Sequence, residues 1–204
     1  MAFERNVFIN CPFDRDFYPL LRPLLFTVIY LGLKPRIALE NADSGQPRID
    51  KIVKLIAESK YAIHDLSRIQ AATAGELYRL NMPFELGIDV GCRLFGSHTR
   101  RTKKCLVLES EPYRYKAALS DLSGSDIGCH GNEPERVVIE VRNWLKNACK
   151  VKAPGPDRIW GAFHDFSTRN YDDLTGKGFS PRDIEALPVP ELIECMEMWV
   201  AEGG

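Results

Sequence analysis

Short apolar runs alternate along the first 150 residues with longer segments in which apolar residues recur three or four positions apart. The runs have the length of buried strands and cover residues 7–9, 35–40, 60–65 and 104–109. The longer segments have the spacing of amphipathic helices and cover residues 18–31, 49–56, 83–95 and 133–145. Strands that alternate with helices of this length are typical of βαβ units. Residues 1–150 are therefore predicted to form one α/β domain, a flavodoxin-like doubly wound parallel sheet of four or five strands.

The apolar stripes of the helices also predict which side chains face the sheet. They are Ile49, Ile52, Val53 and Ile56 on the second helix and Phe84, Ile88, Cys92 and Phe95 on the third. The pattern over residues 110–132 is ambiguous. It allows a helix at 115–122 and a short fifth strand near 126–129.

No strand pattern follows residue 150, where Ala-Pro-Gly-Pro at 153–156 predicts a linker. Helices are predicted over 159–174 and 190–200, and Ser180-Pro-Arg-Asp183 has the sequence of a helix start. Residues 151–204 are thus predicted to be a helical C-terminal extension. It is too small for a core of its own, so it packs either on the α/β domain or on a partner subunit.

Composition excludes several classes of function. The chain has 204 residues, a net charge of −1 and no long basic run, which disfavours nucleic-acid binding. No apolar stretch is long enough to span a membrane, and the N-terminus lacks the regions of a signal peptide. The six cysteines are scattered without metal-ligand spacing, so we expect free thiols, no metal site and a cytoplasmic location.

Two acids are the candidate catalytic residues, because both are placed at the edge of the sheet where open α/β folds bind ligands. Asp65 ends the third predicted strand, and Glu85 follows Pro83 at the start of the third helix. A carboxylate in a first helical turn is stabilised by free backbone N–H groups, so Glu85 is predicted to stay ionised at neutral pH. For each acid the alternative is a purely structural role, as a turn cap for Asp65 or as a helix-start charge for Glu85. Side chains alternate along a strand, so His64 is predicted to point into the core, away from Asp65.

The remaining candidates are polar or loop residues at the same edge. The predicted substrate-binding residues are Asn10, Cys11, Pro12, Phe13, Asp43, Ser44, Arg48, Asn81 and Met82. Gly-rich phosphate loops and a serine nucleophile motif are absent from the sequence, which disfavours the familiar nucleotide-binding folds and serine hydrolysis. Spacing identifies no partner for His130.

Four segments together resemble a bacterial family related to nucleoside 2-deoxyribosyltransferases and, more distantly, TIR domains that act as NAD glycohydrolases. They are residues 7–14, 43–45, 63–68 and 81–87, within a similarity that covers roughly residues 5–148. The resemblance implies that Glu85 is a nucleophile that forms a glycosyl-enzyme and that Asp65 assists the nucleobase. The family carries another aspartate six residues before the glutamate. Arg79 stands there in this chain, which puts transfer between nucleobases in doubt and leaves Asn81 as the nearest polar substitute.

The expected function is therefore cleavage of the N-glycosidic bond of a nucleoside, a nucleotide or NAD, without a metal or a cofactor. The resemblance also implies a homo-oligomer. A non-catalytic, TIR-like module that senses a nucleotide or drives assembly is the alternative. A scaffold in which both acids are structural is a third.

Overall fold

The computed structural model describes residues 2–40, 45–71, 73, 80–122 and 126–204. Its centre is a five-stranded sheet in the order β2-β1-β3-β4-β5, and every neighbouring pair is parallel. The strands are β1 Asn6–Asn10, β2 Lys34–Arg36, β3 Tyr61–Asp65, β4 Lys104–Glu109 and β5 Ile127–Cys129. This strand order is that of the flavodoxin-like doubly wound fold. The predicted fold class is confirmed.

The helices cover both faces of the sheet. They are α1 Tyr18–Tyr30, α2 Arg48–Ala57, α3 Asn81–Phe95, α4 Pro134–Cys149, α5 Pro156–Gly176, α6 Pro181–Glu185 and α7 Val189–Ala201. Because side chains alternate along β1, Val7 and Ile9 join a core cluster with α1 and α4, whereas Phe8 joins one with α2. The carboxyl ends of the strands therefore lie between helices of both layers.

Two local predictions need correction. The second strand, expected over 35–40, ends at Arg36 because the chain turns there, with the Glu40 N–H donating to the Ile37 carbonyl. The segment at 115–122 forms two short 3₁₀ turns, Arg114–Ala117 and Ser120–Leu122, and not an α-helix.

The predicted inward face of α3 is half right: Ile88 and Cys92 pack against the core cluster of β1 and α2, but Phe84 and Phe95 do not face the core. Phe84 is 59% exposed and Phe95 is 87% exposed, although both were expected to face the sheet. The side chains that are buried on this helix are Met82, Glu85, Leu86 and Asp89. Their spacing is that of one helical face, so the buried face of α3 carries two acids. On α2, Ile49 and Val53 are likewise exposed.

The C-terminal extension packs on α1 of the same chain. The ring centroid of Phe26 on α1 lies 5.5 Å from the ring centroids of both Phe163 and Phe166 on α5. It lies 5.6 Å from that of Trp199 on α7. Buried residues of the extension belong to the same core cluster as the strand residues Val7 and Ile9. The extension was expected to pack either on the α/β domain or on a partner subunit, and in the structure it packs on the α/β domain of its own chain. The predicted helix start at Ser180 is confirmed as a capping box with Asp183.

None of the helices in the described residues is both long enough and apolar enough to cross a membrane.

We predict that Phe166→Ala lowers the free energy of unfolding by about 3–5 kcal/mol, because it leaves a cavity between α1, α5 and α7. Denaturant unfolding measures the change. Tyr171→Ala, on the same helix but 44% exposed, is the control and should cost less than about 1 kcal/mol. Equal losses would show that α5 is not held by this aromatic contact.

Candidate active site

Asn10 joins three elements at the carboxyl edge of the sheet. It is the last residue of β1 and lies beside His64 in the parallel register with β3. Its amide Nδ2 donates to His64 Nδ1 at 3.0 Å and to the Met82 carbonyl, in the first turn of α3, at 2.9 Å. The Met82 carbonyl can only accept, so the amide nitrogen must face it. The Asn10 Oδ1 atom is buried and has no hydrogen-bond partner among the described residues.

On its other side, His64 contacts a buried carboxylate, Asp89. Since His64 Nδ1 accepts from Asn10, the ring proton lies on Nε2 and is donated to Asp89 Oδ2 at 3.2 Å. The other oxygen, Asp89 Oδ1, lies 3.0 Å from Lys103 Nζ. Lys103 also donates to the Ile56 and Ser59 carbonyls, at the end of α2. All three side chains, His64, Asp89 and Lys103, are buried. Each of these polar groups is therefore stabilised by the next one, because water cannot reach it.

These contacts keep Asp89 ionised. Burial alone raises the pKa of the carboxyl, but the hydrogen bond that His64 donates and the charge and hydrogen bond of Lys103 outweigh it, so the pKa lies below its usual value. The predicted core position of His64 is confirmed, with both ring nitrogens engaged.

Glu85 lies one helical turn before Asp89 and has a different environment. The residue is 5% exposed, and no hydrogen bond to its carboxyl is found within the described part of the chain. Burial raises the pKa of Glu85 to about 7, opposed by the positive charge of Arg48. The expectation that Glu85 is fully ionised at neutral pH is therefore wrong. The helix begins at Asn81, so Glu85 is its fifth residue, beyond the first turn in which backbone N–H groups are free.

Cys11 shows that the two candidate acids share one environment. Burial raises the pKa of its thiol well above the usual value, and the negative charges of Asp65, Glu85 and Asp14 raise it further. A buried thiol among carboxylates stays protonated, so Cys11 is a poor nucleophile. It contributes a small neutral group directly after β1.

Asp65 is 1% exposed, and both of its oxygens are engaged. Oδ1 accepts from the Ser67 N–H at 2.9 Å and from the Ser67 hydroxyl, and Oδ2 accepts from His130 Nε2 at 3.1 Å. The other ring nitrogen, His130 Nδ1, accepts from the Asn132 N–H at 3.0 Å. Asp65 therefore caps its turn, as the alternative prediction had it, and is fixed by His130. This geometry suits a positioning residue better than a proton carrier.

His130 is the residue of this edge that sequence reasoning missed. It directly follows β5, and its N–H donates to the Glu109 carbonyl at the end of β4. The available signal was its place after the possible fifth strand, since all strands of a parallel sheet end at one edge.

The other predicted binding residues differ in accessibility. Pro12 is buried and Phe13 is half-buried, whereas Arg48 and Asn81 are exposed as the first residues of α2 and α3. Asp43 and Ser44 lie outside the described residues, as does Arg79. Asp14 caps the short 3₁₀ turn Arg15–Phe17, because its side chain accepts from the Phe17 N–H at 3.1 Å.

No group of three or more His, Cys, Asp or Glu side chains within the described ranges is arranged to hold a metal ion. Comparison of the chain with family models, with curated proteins and with solved structures finds no match.

We predict that Asp89→Asn lowers the free energy of unfolding by about 3–5 kcal/mol, because it leaves the Lys103 ammonium buried without a counter-charge. Chemical denaturation at pH 7 measures the change. A loss below about 1 kcal/mol would mean that Lys103 reaches solvent or another partner at little cost.

We predict that Glu85→Gln raises the free energy of unfolding at alkaline pH. The folded-state pKa of about 7 lies above the usual 4.5, so the protonated carboxyl favours the folded chain. That contribution is complete below pH 4.5 and is lost as the pH rises through 7. Glutamine never ionises, so the variant should be more stable than the wild type at pH 8, by at most on the order of 3 kcal/mol. At pH 4 the two should be nearly equal. A difference that does not change with pH would contradict the raised pKa.

Proposed function

We propose that this protein cleaves the N-glycosidic bond of a nucleoside, a nucleotide or NAD, with Glu85 as the reacting carboxylate. One observation carries the proposal. Glu85 is an almost buried acid with a pKa of about 7, at the ligand-binding edge of the sheet, and no described residue satisfies its carboxyl. Burying a carboxyl costs stability, and buried acids with a raised pKa are typical of sites that perform acid–base or nucleophilic chemistry.

In the proposed reaction, the ionised Glu85 oxygen forms a bond to C1′ of the sugar while the C1′–N bond breaks and its electron pair leaves with the base. A proton taken up from solvent neutralises the base where the leaving group needs one. Water then attacks C1′, the ester C1′–O bond to Glu85 breaks, and the water's proton returns to solvent, so that the sugar and the carboxylate are released. The net reaction consumes one water and needs no metal or redox partner.

Neighbouring groups have supporting roles in this proposal. The buried Asn10 Oδ1 lacks a partner among the described residues and would accept a hydrogen bond from a sugar hydroxyl. Asp65, held by Ser67 and His130, would keep the β3 turn in place beneath the base. Arg48, whose positive charge acts on Glu85, would favour the ionised form and a phosphorylated substrate.

A non-catalytic module that senses a nucleotide or drives assembly is the second candidate. The observation that favours it is the exposure of several large apolar side chains on α2 and α3. They are Ile49, Val53, Phe84, Leu94 and Phe95. Exposed apolar surface is typical of interaction sites. A homo-oligomer fits either function, and a cytoplasmic location, supported by six free cysteines, is part of both proposals.

The test is a chromatographic assay of the purified protein with NAD, deoxynucleosides and nucleoside monophosphates. Wild type should release free base from one of them, and Glu85→Gln should reduce the rate by roughly a thousandfold or more. Glu135→Gln, which removes an exposed carboxyl from the first turn of α4, is the matched control and should retain full activity.

The pH dependence separates the possible roles of Glu85. A nucleophile must be ionised, so the rate should rise through pH 7, near the pKa of about 7, and then level off. A rate that falls above pH 7 would reject the nucleophile in favour of a general acid. Absence of free base from every substrate would reject the enzyme and favour the sensing module.

A further inference from the structure

A large hollow lies at the opposite edge of the sheet, where the strands begin. Its volume is about 990 Å³, within the range of small-molecule sites. The lining includes Tyr61 and Lys104, the first residues of β3 and β4, and Lys150, just after α4. The hollow is therefore separate from Glu85 and Asn10, which lie at the carboxyl edge.

The charge of this hollow is strongly one-sided. Seven basic side chains line it against one acidic side chain, although the whole chain has a net charge of −1. A concave surface lined by charges of one sign concentrates the electrostatic potential and attracts ligands of the opposite sign.

Four of the seven basic residues have structural roles that need no ligand. Arg5 donates to the Gly32 carbonyl after α1, and Lys104 donates to the Ala148 carbonyl near the end of α4. Lys103 is bound to Asp89 and to carbonyls at the end of α2. These contacts satisfy the free carbonyls of helix C-termini, which meet at this edge. Lys60 is paired with Glu4 at 2.5 Å.

The other three basic residues have no such role. Arg101, Lys150 and Lys152 are exposed at the rim of the hollow, and within the described residues their side chains have no ion pair or hydrogen bond. Lys150 is also in the left-handed conformation, with φ of 55°, at a position where glycine is usual. Three cations with open donors around one hollow are suited to an anion of several charges.

We propose that this hollow binds a small polyanion with at least two phosphate groups, held by Arg101, Lys150 and Lys152. A multiply charged phosphate matches three separate cations better than a single carboxylate does, and guanidinium and ammonium groups are the usual phosphate donors. A small ligand is favoured over a nucleic acid because the cations surround a bounded hollow and do not form an extended stripe. The proposal is independent of the function assigned to Glu85.

The test is calorimetric titration of the full-length protein with inorganic tripolyphosphate at about 50 mM salt, where charges are weakly screened. The triple variant Arg101→Gln, Lys150→Gln and Lys152→Gln should bind at least tenfold more weakly than wild type. The matched control, Arg136→Gln, Arg158→Gln and Arg182→Gln, removes the same charge from exposed positions outside the hollow. It should bind like the wild type.

Three results would overturn the proposal. They are absence of tripolyphosphate binding to wild type, equal affinity in the triple variant and the wild type, and an equal loss in the control, which would indicate net charge alone. Titration with a single-stranded oligonucleotide is the last comparison. If it binds tightly to wild type while tripolyphosphate does not, the surface is a nucleic-acid site.

Discussion

The position of helix α3 depends on one buried ion pair. Asp89 cannot be ionised in the interior without partners, and it finds them in His64 on β3 and in Lys103 immediately before β4. These contacts hold one face of α3 against the sheet and thereby fix its rotation about its axis. Glu85 lies on the same face, one turn nearer the carboxyl edge. Its burial is thus a consequence of the Asp89 contacts, and so is the exposure of Phe84 and Phe95.

The two acids on this face have opposite electrostatic environments. The pKa of Asp89 lies below its usual value because His64 and Lys103 surround it, whereas burial without such partners raises the pKa of Glu85 to about 7. Paired acids whose pKa values diverge are a recurring feature of active sites, where one group is structural and the other takes part in the reaction. Here Asp89 stabilises the helix, and Glu85 is the acid whose pKa lies near neutral pH. Asn10, held by His64, extends the same polar chain to the edge of the sheet.

Local sequence patterns predicted the strands well and the α3 interface poorly. The fourth strand has the predicted bounds, because a continuous apolar run leaves a buried strand few alternatives. The predicted interface of α3 was wrong at Phe84 and Phe95 and missed Asp89, because apolar periodicity counts every large apolar residue as inward and every acid as a surface residue. The burial of Asp89 depends on His64 and Lys103, which are distant in sequence and which a local pattern does not include. The same limit applies to His130, which contacts an aspartate 65 positions earlier in the chain.

The polarity of a parallel sheet explains why basic side chains collect at the amino edge. Helices start at the carboxyl edge and end at the amino edge, so free carbonyls at the amino edge attract cations such as Arg5 and Lys104. Lys103 belongs to both regions, because it lines the basic hollow and also neutralises Asp89 beneath the candidate active site. Its ammonium is already committed to Asp89 and to two carbonyls. An anion in the hollow would therefore be held by the outer cations, and the ion pair that positions Glu85 would remain intact.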